Sequence, residues 1–154
     1  MGFPFFRKKK KHFFTSKEEA LIVESVRVAE RRTSGEVRVF VESRCRYMDA
    51  TDRAAEIFFQ LKMEKTDDRN AVLVYIALKD RQLAVFGDEG IHQKVGSEFW
   101  NREVGVMIEN FNREDYAAGI SRCVADIGET LHFHFPFDKD TDKNELPDDI
   151  VFGK

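Results

Sequence analysis

The run Ala71 to Leu78, A-V-L-V-Y-I-A-L, constrains this chain more than any other stretch. It is continuous, apolar and rich in β-branched and aromatic side chains, which suits a strand buried on both faces. It is too short for a typical helix, and Lys79-Asp80-Arg81 ends it abruptly. Gln82 to Phe86 then resumes the apolar character. So short a connection makes the two strands antiparallel, because a parallel return needs a crossover. Asp67 and Asp68 precede the pair, and Asp88 and Glu89 follow it.

The rest of the chain can be placed around this hairpin. Ser16, with Glu19 three positions on, has the form of a capping box, and Ile22, Val26 and Ala29 carry an apolar stripe to about Arg32. Gly35 suits the positive φ of a helix stop. Glu36 to Glu42 alternates as a strand with Val37, Val39 and Val41 on one face, and its less apolar outer face places it nearer an edge than Ala71 to Leu78. A loop bearing Arg44 and Arg46 follows. Asp49 can then cap a helix to about Met63, whose return to the hairpin implies parallel strands. Ile91 to Phe111 and Asn112 to Leu131 read as two further helices; Gly105, Gly119 and Gly128 within them suggest close approach to neighbours. The order α-β-α-β-β-α-α predicts an α/β fold: an α/β/α sandwich on a mixed β-sheet, with a parallel β-α-β unit, an antiparallel hairpin and helices on both faces.

Length and composition fit one domain. At 154 residues and 42% hydrophobic, the chain can bury a substantial core. The expected division is a basic, Phe-rich segment at 1–14, an α/β domain at 15–136 and an acidic tail at 137–154. A net charge of −3 gives no drive toward nucleic acid, and no run approaches the roughly 20 apolar residues of a membrane span. Phe3, Phe5, Phe6, Phe13 and Phe14 interleave with Arg7 to His12, which reads first as a solvated tether whose rings dock on the domain and second as a membrane-surface or nucleic-acid patch. Cys45 and Cys123 match neither a zinc cluster nor a redox pair and read as reduced thiols. No secretory signal is apparent, and a cytoplasmic location is expected.

The topology gathers charge at both ends of the sheet. The starts of strands one and two and the end of strand three share one edge, which collects Glu36, Asp67, Asp68, Asp88 and Glu89. Two carboxylates ~5 Å apart repel by roughly 3 kcal/mol at an effective dielectric near 20, so such a group needs a cation, a base or solvent. A divalent metal is one solution: calcium accepts irregular oxygen ligands, while magnesium demands near-octahedral order. A structural solution stands beside it, in which Asp88 caps the next helix and Glu36 pairs with Arg69. The opposite edge gathers Arg44, Arg46, Lys79 and Arg81 and could hold an anion. Asp138, Asp140 and Asp142 imitate the opening of an EF-hand, but Lys143, Pro147 and Asp149 break its pattern. His132 and His134 are spaced wrongly for one ion on a helix.

Several phrases carry a family resemblance. Thr33-Ser34-Gly35-Glu36-Val37-Arg38-Val39, Asp49-Ala50, Arg69-Asn70-Ala71 through Ala77, Gly87-Asp88-Glu89-Gly90-Ile91 and His134-Phe135-Pro136 resemble the TPM domain family in order and spacing. The resemblance covers about Phe14 to Pro136. It implies an α/β/α sandwich, calcium binding in some members and acid phosphatase activity in plant lumenal ones. The family's acidic loops correspond to Asp67, Asp68, Asp88 and Glu89. Many members carry a signal peptide and a membrane anchor; this chain has the look of the short cytosolic bacterial form. The leading expectation is therefore a domain binding a divalent cation, calcium before magnesium, and acting through a protein partner. The alternatives are a metal-assisted acid phosphatase acting on phosphomonoesters and a non-catalytic membrane-surface adaptor.

Overall fold

A computed structural model describes residues 13–113, 115–137 and 149–153. The basic run before Phe13 and the EF-hand-like aspartates at 138–142 lie outside them. Four strands form one sheet in the order β3-β2-β1-β4: β1 (Glu36–Glu42), β2 (Ala71–Ala77), β3 (Gln82–Gly87) and β4 (Val151–Phe152). β1 and β2 are parallel, with Glu36 beside Ala71 and Glu42 beside Ala77. β2 and β3 form the expected antiparallel hairpin, Val72 opposite Gly87. The helices are α1 (Ser16–Glu30), α2 (Ala50–Gln60), α3 (Glu89–Asn112) and α4 (Tyr116–His134).

The alternation of β1 sends its side chains into two separate cores. Val37, Val39 and Val41 join Val72, Val74 and Ile76 beneath α1, α3 and α4. Phe40 joins Leu73, Tyr75 and Ala84 beneath α2, whose Ala54, Ile57 and Phe58 are buried. Helices therefore cover both faces of a mixed sheet, as the sequence predicts. Every residue of β2 is buried, consistent with its unbroken apolar run.

Several local expectations need correction. The capping box uses Thr15 and Glu18, because Thr15-x-x-Glu18 and Ser16-x-x-Glu19 overlap and the helix takes the earlier pair. Gly35 does not stop α1 with a positive φ; α1 ends at Arg31 in ordinary right-handed geometry. Gly35 is instead fitted to close packing, since a Cβ there would press on Leu131 and the Asn70 carbonyl. Asp115, not Asn112, caps α4. β1 is interior, because β4 pairs along its other side at Phe40 and Val41. A two-residue strand is too short to carry a period, so it is invisible within an acidic tail. Phe13 stacks on Phe152 and Phe14 is buried, so the rings nearest the domain do dock on it.

The helical glycines divide. Gly119 packs against Asn110 and Phe111, and Gly128 against Ala29, as close approach requires. Gly105 faces open space and has no such reason. Gly96 breaks α3, with φ 75° and ψ 172°, and Trp100 Nε1 donates to His92 Nδ1 across the break.

Candidate functional site

The acidic edge assembles around the start of β2. Glu36 lies beside Ala71 in the sheet, and the Asp88 N–H donates to the Ala71 carbonyl from the other side. Thus β1, the segment preceding β2 and the start of α3 meet there, as the topology argument requires. The side chains, however, are already committed in part. Arg69 donates from Nε to Asp88 Oδ2 (2.7 Å) and from Nη2 to Oδ1 (2.9 Å), and from Nη1 to Glu89 Oε1 (3.3 Å). Asp88 is also the N-cap of α3 and is 3% exposed. The structural alternative for Asp88 is therefore realised, with Arg69 as its base.

The backbone explains why this motif reads as it does. A Cβ at Gly90 would collide with the Asp68 and Arg69 carbonyl oxygens, and the Gly90 N–H donates to the Arg69 carbonyl at 2.8 Å. A Cβ at Gly87 would strike the Trp100 ring. Gly87-Asp88-Glu89-Gly90 is thus a lock between the hairpin and α3. Asp67 and Asp68 are exposed, and Glu36 is buried at the strand's start. Among the described residues, no three His, Cys, Asp or Glu side chains stand together as a ready metal cage.

The opposite edge opens into a cleft of about 550 Å³. Its wall includes Arg44, Arg46, Tyr47, Met48, Arg53 and Lys79, with Glu42 at its base. Three of the four cations expected at this edge line it; Arg81 does not. Sequence reasoning missed Glu42, Arg53 and Tyr75, which organise the floor. Glu42 is 5% exposed and accepts from Arg53 Nε and Nη2 (both 2.9 Å) and from the Tyr75 hydroxyl (2.5 Å). Arg53 also reaches Glu56. Hydrogen bonding to Glu42 raises the Arg53 pKa, while burial, reinforced by Glu42, raises that of the Tyr75 phenol. Both groups keep their protons and donate them in hydrogen bonds to Glu42. The available signal was a carboxylate at the end of a strand, followed by a helix whose first turns carry an arginine.

The cleft's rim is fixed by one aspartate. Asp80, in the β2–β3 turn, accepts from the Cys45 N–H (2.7 Å) and from Arg44 Nη1 (3.0 Å). The Lys79 N–H donates to the Ser43 carbonyl at 2.8 Å. The loop between β1 and α2 is thereby tied to the hairpin turn. Arg44 is engaged by Asp80 and Arg53 by Glu42, whereas Arg46 and Lys79 have no ion-pair partner among the described residues. A crevice outside the carboxyl ends of parallel strands is where open α/β sheets place their ligands.

A mixed α/β/α sandwich with a charged cleft at the carboxyl ends of its parallel strands defines the class. The chain belongs to the TPM domain family, whose model matches residues 8–130. It is similar to the BA42 protein from the psychrophilic bacterium Bizionia argentinensis, known from an NMR structure. The two are 36% identical, with a TM-score of 0.85, over 94% of this chain and 99% of that one. The fold recurs in the N-terminal domain of a P. gingivalis protein, at 18% identity and TM-score 0.66, over 79% of this chain and 78% of that one. It recurs again in the N-terminal domain of cg2496 from Corynebacterium glutamicum, at 13% identity and TM-score 0.57, over 77% and 74% of the two chains. No match was found among curated proteins. Among the described residues no helix is long and apolar enough to cross a membrane.

Proposed function

We propose that the cleft at the carboxyl ends of β1 and β2 binds phosphomonoesters. The observation that carries this reading is that Arg46 and Lys79 line the cleft without an ion-pair partner among the described residues, while Arg44 is paired with Asp80 and Arg53 is shared by Glu42 and Glu56. An arginine offers a planar fork to phosphate and a lysine a mobile point charge, so the two complement each other. Acid phosphatase activity, implied by the family resemblance for plant lumenal members, needs such a subsite whatever supplies the nucleophile. The test is calorimetric titration with inorganic phosphate, alongside hydrolysis of a chromogenic phosphate ester. Arg46→Ala and Lys79→Ala should each weaken phosphate binding by roughly tenfold, the loss of one charge-assisted hydrogen bond. Binding that is absent in the native protein, or untouched in both variants, overturns the reading. Turnover that disappears in the same variants would extend it from binding to catalysis.

A second reading keeps calcium at the acidic edge, in a domain that acts through a protein partner. Its support is that the segments carrying Glu36, Asp67, Asp68, Asp88 and Glu89 meet at the start of β2, together with the calcium binding the resemblance implies for some members. As folded, the edge offers a cation the exposed Asp67 and Asp68 outright; Asp88 and Glu89 become available only when Arg69 turns aside. Calcium tolerates such an irregular oxygen set better than magnesium does. Titration of calcium into the protein and into an Asp67→Asn/Asp68→Asn variant tests this. No heat at millimolar ion, or equal heat in both proteins, removes the reading.

A further inference from the structure

Tyr47 is 98% exposed and sits at φ 70°, a left-handed conformation rare for a bulky side chain. It belongs to neither hydrophobic core, so packing gives no reason for the ring. Its loop is nevertheless held on both sides. Asp80 fixes Arg44 and the Cys45 N–H before it, the Cys45 thiol donates to the Met48 carbonyl across it (3.2 Å), and Asp49 caps α2 immediately after it. A fixed loop thus presents an aromatic ring to solvent at the rim of the cleft.

Tyr47 and Met48 line the same cleft as Arg46 and Lys79. Cations for a phosphate beside an exposed ring are the two parts of a site for a phosphate carried by a flat aromatic group. Rings stack on tyrosine irrespective of their identity, and the stacking contact is worth a substantial factor in affinity. At about 550 Å³ the cleft has room for far more than inorganic phosphate, and it falls in the range of small-molecule sites.

We propose that the cleft selects phosphate monoesters whose organic part is a planar ring, a nucleobase or an aryl group, with Tyr47 as the stacking platform. This rests on the phosphate-binding reading above, and the two fail differently. The full chain is titrated with inorganic phosphate, ribose phosphate, adenosine monophosphate and phenyl phosphate, and so are Tyr47→Phe and Tyr47→Asn. Asparagine is well suited to positive φ, so the second variant loses the ring without adding strain. At least one ring-bearing ester should bind about tenfold more tightly than ribose phosphate. Tyr47→Phe should keep that advantage and Tyr47→Asn should erase it, with ribose phosphate binding unchanged. The tighter of the two ring-bearing esters names the kind of ring. If ribose phosphate binds equally well, or Tyr47→Asn weakens every ligand alike, the selectivity proposal falls while phosphate binding stands. If no phosphate compound binds, both fall together.

Discussion

Arg69 grips Asp88 at two points, Nε to Oδ2 and Nη2 to Oδ1, and this pair joins the turn before β2 to the first residue of the α3 cap. The same carboxylate accepts from the Glu89 N–H at 2.8 Å. One side chain therefore caps a helix, pairs with a cation and fixes the open end of the hairpin. Asp88→Ala removes all three and should destabilise the fold by at least the ~1 kcal/mol typical of a lost cap. Asp88→Asn keeps a capping oxygen and should unfold later than Asp88→Ala. Chemical denaturation of the two variants checks the ordering; equal stabilities would mean that the cap contributes nothing.

Two exposed-space glycines of α3 should respond oppositely to the same substitution. Gly96 has φ 75° and ψ 172°, a region that side chains avoid even where, as here, nothing would touch a Cβ. Gly96→Ala should cost about 1–3 kcal/mol. Gly105 is helical and faces open space, so Gly105→Ala should stabilise by up to about 1 kcal/mol. Thermal unfolding of the pair decides it. If Gly96→Ala were neutral, α3 could run straight through the break.

Much of this architecture was legible because burial leaves a period. The β1–β2–β3 order, its directions and its boundaries follow from the alternation of Val37, Val39 and Val41 and the unbroken run of Ala71 to Ala77. The convergence at both sheet ends followed from those directions alone. What stayed hidden leaves no period. β4 is two residues long, the Gly96 break is a single dihedral, and the Glu42–Arg53–Tyr75 group joins three elements through hydrogen bonds. Charge at an edge was visible; which charges are already neutralised was not, because that depends on partners such as Arg69 and Asp80.

The Glu42 group should be more sensitive to loss of its cation than of its phenol. Arg53→Ala leaves a nearly buried carboxylate with one hydrogen bond, and breaking buried pairs typically costs 3–5 kcal/mol. The Arg53 side chain is 26% exposed, so about 2–3 kcal/mol is the expected loss. Tyr75→Phe removes one hydrogen bond to a charged group and should cost about 1–2 kcal/mol. A double-mutant cycle on denaturation midpoints would expose coupling between the two losses. Simple additivity would argue that Arg53 and Tyr75 serve Glu42 independently.

Glu103 gives the α3–α4 interface a pH dependence whose sign can be worked out. It is 6% exposed, and burial, reinforced by Asp126, pushes its pKa up to about 7. Arg102 and Arg122 oppose that rise, and the neighbouring Cys123 thiol is itself pushed up, first by burial. A carboxyl group with a raised folded-state pKa binds more protons folded than unfolded. Its contribution is complete below the ordinary glutamate range and is lost as the pH rises from about 4.5 through about 7. Asp126 is 37% exposed, so solvent moderates the effect to roughly 1–2 kcal/mol. Glu103→Gln, always neutral, should therefore gain on the native protein across that interval and hold its advantage above it. Unfolding free energies of both proteins at pH 5 and pH 8 measure the difference directly. A constant difference between the two would show that Glu103 titrates alike in the folded and unfolded chains.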